Sequence, residues 1–126
     1  MSLILDAGAL IAYERLHQGV RAFLERAERT ETAVLTTTAV VAQVWRDPAR
    51  QVRLSRLLQG VDEAELTRKR SRSIGLLLRE SRKADVVGGS IVDLAEDGDE
   101  VLTSDPDDIA PLITAAGKTV IITPIN

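Results

Sequence analysis

Five aspartates, Asp6, Asp85, Asp105, Asp107 and Asp108, are the side chains of this sequence with the clearest potential for chemistry. Asp6 closes the apolar run Leu3-Ile4-Leu5, and Asp105 follows Val101-Leu102-Thr103-Ser104. Each carboxylate therefore stands at the carboxyl end of a short buried-strand pattern. Carboxylates that converge on one place repel each other and are tolerated when a divalent cation neutralises them. Oxygen-only ligands select Mg²⁺ or Mn²⁺ over zinc. Such an ion activates water and stabilises the charge that builds on a phosphodiester during hydrolysis. The alternative is structural: aspartate is a good helix N-cap, and Asp6 and Asp105 both precede helical patterns.

Other chemistries lack their residues. With no cysteine, a disulfide framework and a thiolate zinc site are excluded. The single histidine, His17, reads as an exposed residue between two helices and cannot build a metal site alone. No Walker-type loop occurs, no G-x-G-x-x-G follows a strand, and no serine is paired with a histidine. Tyr13, Phe23 and Trp45 are the only aromatics, too few for a base-stacking platform. Trp45 suits either the core or an interface.

Charge is unevenly spread. The net value is −3, yet residues 40–83 carry eleven basic against five acidic side chains, and residues 84–126 carry nine acids and a single base, Lys118. A basic middle and an acidic end suit phosphate attraction in one place and carboxylate chemistry in another. Arg46, Arg50, Arg53 and Arg56 recur at three- and four-residue steps, which predicts one face of a helix. That face would attract RNA phosphates or an acidic partner segment, or would simply be solvated.

The elements that must position these groups alternate between strand and helix. Strands are expected at 3–5, 33–36, 101–103 and 119–122, with a short edge strand within 61–66. Helices are expected from about Ala9, over 20–29, from Thr37 or Thr38 to Trp45, from Pro48 to Gly60, over 67–82, and over 107–116. Ser90-Ile91-Val92-Asp93 has the capping-box form, which predicts a further helix starting near Ser90. This alternation predicts a parallel sheet with helices on both faces, a three-layer α/β/α arrangement. In open sheets of that class the functional crevice lies beyond the carboxyl ends of the strands. Asp6 and Asp105, about a hundred positions apart, are thereby delivered to one edge.

At 126 residues the chain suits one domain with a proper core. Its hydrophobic fraction of 44% is almost wholly aliphatic, as strands covered on both faces require. No segment has the roughly 18–20 apolar residues of a membrane span. The N-terminus lacks the basic start and cleavage site of a signal peptide, so a cytoplasmic location is expected.

Three segments carry a resemblance to PIN domains. Leu3-Ile4-Leu5-Asp6-Ala7-Gly8-Ala9-Leu10-Ile11-Ala12 resembles the opening of such a domain. Thr38-Ala39-Val40-Val41-Ala42-Gln43-Val44-Trp45-Arg46 resembles its second motif, and Val101-Leu102-Thr103-Ser104-Asp105-Pro106-Asp107-Asp108-Ile109 its last. With the helices between them they cover nearly the whole chain in the right order, and the chain looks most like VapC-type toxins of toxin–antitoxin pairs. That resemblance implies a PIN-like fold and a Mg²⁺- or Mn²⁺-dependent endoribonuclease. It also implies a cognate VapB-like antitoxin that holds the enzyme silent, and commonly a homodimer. Asp6 matches the first family acid and Asp105 the last, with Asp107 or Asp108 as helpers. Gln43 stands where the family usually has Glu, and Gly88 where it usually has Asp. The amide oxygen of Gln43 can still bind a metal or its water, but without charge. Asp85, three residues before Gly88, can approach the site if that turn is helical. Two readings follow: a metal-dependent ribonuclease using the remaining acids, or a weakened or inactive relative that binds RNA or an antitoxin.

Overall fold

The computed structural model describes every residue from Met1 to Asn126. In chain order the elements are β1 (Ser2–Leu5), α1 (Ala7–Glu14), α2 (Gln18–Arg29), β2 (Ala33–Thr37), α3 (Thr38–Val44), α4 (Val52–Gln59) and β3 (Asp62–Ala64). Then come α5 (Arg68–Ser81), α6 (Val86–Leu94), β4 (Glu100–Thr103), α7 (Pro106–Ala116) and β5 (Ile121–Pro124). The strands form one sheet in the order β3-β2-β1-β4-β5, and every pairing is parallel. Consecutive residues of β1, Leu3, Ile4 and Leu5, are all buried although neighbours on a strand point to opposite faces. Both faces of the sheet are therefore covered, the expected α/β/α arrangement. The order reverses at β1, so β1 and β4 flank the point where an open parallel sheet forms its crevice.

The main core gathers Ile4, Leu5, Leu10, Val40, Leu54, Ile91 and Leu102 on the sheet, with Trp45 half-buried against it. A second cluster of Val92, Ile109, Leu112 and Ile113 joins α6 to α7, with Leu77 and Leu78 of α5 packed on it.

Four expectations change. Helix α6 starts at Val86, four residues before Ser90, because Asp85 is its cap and accepts a bond from the Gly88 amide. Ser90 lies inside the helix, where its hydroxyl donates to the Val87 carbonyl and pairs with Thr37 Oγ1. Helix α4 starts at Val52, not Pro48. The buried Gln51 side chain organises the preceding turn: its Oε1 accepts from the Arg46 and Asp47 amides, and its Nε2 donates to Glu14 Oε1 and the Val44 carbonyl. The last strand covers 121–124, since the Thr119 amide is taken by Asp97 Oδ1. His17 is half-buried and caps α2: Nδ1 accepts from the Val20 amide, and Nε2 lies 2.7 Å from the Asn126 carbonyl.

Candidate active site

Asp6 is the fixed point of the site. It ends β1 and caps α1 in an extended conformation, with its own amide bonded to the Leu102 carbonyl of β4 at 3.1 Å. Its Oδ1 accepts from the Ala7 amide at 2.8 Å, and its Oδ2 accepts from Thr103 Oγ1 at 2.7 Å. The residue is only 7% exposed. Burial holds its carboxyl above the ordinary 3.8, and the nearby charges of Asp85 and Asp105 push the same way, against the two hydrogen bonds. The chain thus keeps a carboxylate where water solvates it poorly and other acids crowd it, an arrangement common at functional sites.

Thr103 ties the two halves together. Its hydroxyl donates to Asp6 and accepts from the Asp105 amide at 3.0 Å. Asp105 stands at the cap position of α7 but makes no capping bond, so its carboxylate is free. A β carbon on Gly8 would collide with the Ser104 hydroxyl, so the bare glycine lets the start of α1 close against the β4–α7 turn. Nothing in the sequence singled out Thr103 or Ser104: a threonine ending a strand is ordinary, and both roles depend on contacts across about a hundred residues.

The side chains of Asp6, Gln43, Asp85, Asp105 and Asp108 line one small hollow of about 60 Å³ beyond the carboxyl ends of β1 and β4. Gly88 and Ile109 form part of its wall, and Asp107 does not line it. Gly88 lies in the first turn of α6, and a β carbon there would run into Asp85 Oδ2. The Asp85 carboxylate thus occupies the space that a side chain at 88 would need. Gln43, Asp105 and Asp108 are exposed and can rotate, Asp85 is exposed but bonded to the Gly88 amide through one oxygen, and Asp6 is held through both.

The donors suit a hard cation in kind, since all are oxygens, four of them from carboxyl groups. As the side chains lie, no three acids are grouped closely enough to enclose an ion.

The arginines expected on one helix face are not on one. Arg46 and Arg50 lie in the connection before α4. Arg46 Nη1 donates to the Ala42 and Trp45 carbonyls at the end of α3, Arg50 pairs with Asp47 at 3.5 Å, and Arg53 Nη1 donates to the Glu14 carbonyl at 3.3 Å. None of them lines the hollow.

No known family profile matches the sequence, and no curated protein matches it. Among solved structures the chain is similar to one from the "Crystal structure of VapBC2 from Rickettsia felis bound to a DNA fragment from their promoter". The TM-score is 0.69 over the whole of both chains, at 12% identity. At that identity the likeness is one of fold, and this chain has a PIN-like α/β/α fold.

Proposed function

We propose that this chain is a metal-dependent endoribonuclease of the VapC type. The observation that supports it most is the convergence of Asp6, Asp85, Asp105 and Asp108 with Gln43 at the crevice of a PIN-like sheet. Acids crowded around one buried carboxylate cost stability and contribute nothing to this fold that hydrogen-bonding neutral residues could not supply. Asp6 and Asp105 would be the principal ligands of Mg²⁺ or Mn²⁺, with Asp85 and Asp108 completing the charge. The bound ion would supply an activated water and offset the charge that develops on the phosphate. Asp6 fixes the position of that chemistry, because Thr103 and the Ala7 amide hold both its oxygens. The Gln43 amide can orient a water or a phosphate oxygen by hydrogen bonding. Asp85 would provide the acid that position 88 lacks; if it does not, the chain is the weakened or inactive relative that binds RNA or an antitoxin.

The VapC reading brings a VapB-like antitoxin and a homodimer with it, and places the reaction in the cytoplasm. An open groove of about 550 Å³, lined by Tyr13, Leu24, Glu25, Arg56 and Leu57 among others, is large enough for a partner segment.

The test is cleavage of labelled single-stranded RNA with Mg²⁺, Mn²⁺ or chelator, beside calorimetric titration of Mn²⁺. Asp6→Asn keeps the side-chain shape and should lower both cleavage and ion affinity at least about a hundredfold. Cleavage that survives chelator, or that Asp6→Asn leaves unchanged, would sink the proposal.

A further inference from the structure

The longest helix carries a charge pattern that neither the core nor the acidic hollow accounts for. Arg68, Arg72, Arg79 and Arg82 fall at i, i+4, i+11 and i+14 along α5 and its C-cap, with Gly75 filling the i+7 position. That spacing is one stripe of a helix. All five residues are exposed, and the space beside Gly75 is open. The opposite face, Ile74, Leu77 and Leu78, is the one packed inward. Arg68, Arg72 and Arg82 have no acid within ion-pair distance, and Arg79 meets only its exposed neighbour Glu80.

Folding does not explain this stripe. Arg68, Lys69 and Arg70 occupy the first turn of α5, which holds no acid, and cations there oppose the helix dipole. Arg70 alone is compensated, by Asp93 at 3.4 Å. At the other end Arg82 takes a left-handed backbone with φ of 58°, a helix-ending position that glycine usually fills. Three residues later Asp85 lines the acidic hollow, and three residues reach at most about 11 Å. From Arg68 to Arg82 the stripe runs about 21 Å at the helical rise.

We propose that this face of α5 is a track for the backbone of a single RNA strand, with the arginines taking successive phosphates and leading the strand to the hollow. A protein partner would want an apolar centre on this face. The stripe has Gly75 at its middle, and Leu76 at its flank is a lone exposed apolar side chain. No aromatic lies on the helix, so binding is to phosphates, tolerant of base sequence and steeply dependent on salt.

This inference takes RNA from the nuclease reading but is tested apart from cleavage. Fluorescein-labelled single-stranded RNA is titrated with the full chain in chelator, and anisotropy is followed across a salt series. The triple variant Arg68→Ala, Arg72→Ala, Arg79→Ala is compared with an equally charged control, Arg15→Ala, Arg21→Ala, Arg29→Ala, both checked by circular dichroism. The stripe variant should lose affinity at least about tenfold. Its slope of log affinity against log salt should flatten by about 2, as the loss of three phosphate contacts requires. The control should change less than about threefold. Equal losses in the two triples would reduce the effect to net charge and overturn the track. So would unaltered binding by the stripe variant, as expected were the face reserved for a protein partner. Stripe-dependent binding without any metal-dependent cleavage would keep the track and reject the nuclease.

Discussion

The acidic hollow and the arginine face of α5 are neighbours built on opposite terms. In the hollow the central charge is buried, and both its oxygens are held from separate elements, α1 and β4. On α5 the charges are exposed, and three of the four make no ion pair. A group that must sit within a fraction of an ångström of a reacting atom is bought with stability, because desolvating a carboxylate beside other carboxylates is unfavourable. Groups that only attract a flexible polyanion need no such placement, and substituting them should change stability by no more than about 0.5 kcal/mol each. The two regions should therefore fail differently when altered.

After the loss of Asp6 itself, the largest effect is expected where the hollow depends on an absent side chain. Gly88→Ala puts a β carbon into the space of Asp85 Oδ2 and close to Leu112, at 3.3 Å from its Cδ1. The Asp85 carboxylate must swing away and release the Gly88 amide. Alanine regains roughly 1 kcal/mol of helix propensity, about what loss of the cap removes, so melting should barely change. Cleavage and Mn²⁺ affinity should nevertheless fall about 10- to 100-fold, to the level of Asp85→Ala, with no further loss in the double variant. Gly88→Asp, which the family pattern suggests as a repair, should displace Asp85 in the same way and give no gain over the parent chain. A strong gain from Gly88→Asp, or additive losses in the double variant, would show that the two positions do not share one space.

A smaller effect probes how Asp6 is held. Thr103→Val keeps the shape of a fully buried side chain but removes the donor to Asp6 Oδ2 and the acceptor for the Asp105 amide. Stability should fall by about 1–3 kcal/mol in urea titrations. The Asp6 carboxyl should titrate higher still, because one of the bonds that lowers it is gone. A carbon-detected NMR titration of that carboxyl would contradict this account if its midpoint moved down.

Much of this contrast is legible in the sequence, and the misreadings have physical causes. The strand-then-aspartate pattern locates Asp6 and Asp105 because a parallel sheet delivers strand ends to one edge. Whether each acid caps a helix or faces the hollow depends on bonds too distant in sequence to read: Asp6 does both, whereas Asp105 leaves its helix uncapped. The start of α6 is obscured by two overlapping cap patterns, Asp85 before Gly88 and Ser90 before Asp93. Packing decides between them. Gly89 lies so close to Ile74 of α5 that a β carbon would stand 2.9 Å from its Cγ2, and this close approach makes the glycine pair useful inside the helix. The single arginine face expected over residues 46–56 does not form, for a similar reason. Residues 46–56 have helical spacing, but Gln51 reaches Val44 and Glu14 and folds the first half into a turn. The spacing in α5 survives because nothing interrupts that helix from Arg68 to Ser81.

The smallest expected effect is a slope. In the unfolded chain Asp6 loses its proton near the ordinary 3.8, while in the folded, metal-free chain burial keeps the proton on to higher pH. Between those two values the folded state binds more protons than the unfolded one. Raising the pH through that window therefore removes stability, and above the folded value the loss is complete and constant. The asparagine of the Asp6→Asn variant does not titrate. Its amide oxygen can still accept from the Ala7 amide, and its nitrogen can donate to Thr103 Oγ1, which is free to rotate. Relative to the parent chain, Asp6→Asn should thus gain stability as pH rises from about 4 towards neutrality, in chelator, by urea titration at each pH. A difference that stays flat across the window would mean that Asp6 is solvated as well folded as unfolded. The hollow would then hold its acid no more tightly than α5 holds its arginines, and the contrast between the two regions would reduce to the sign of their charge.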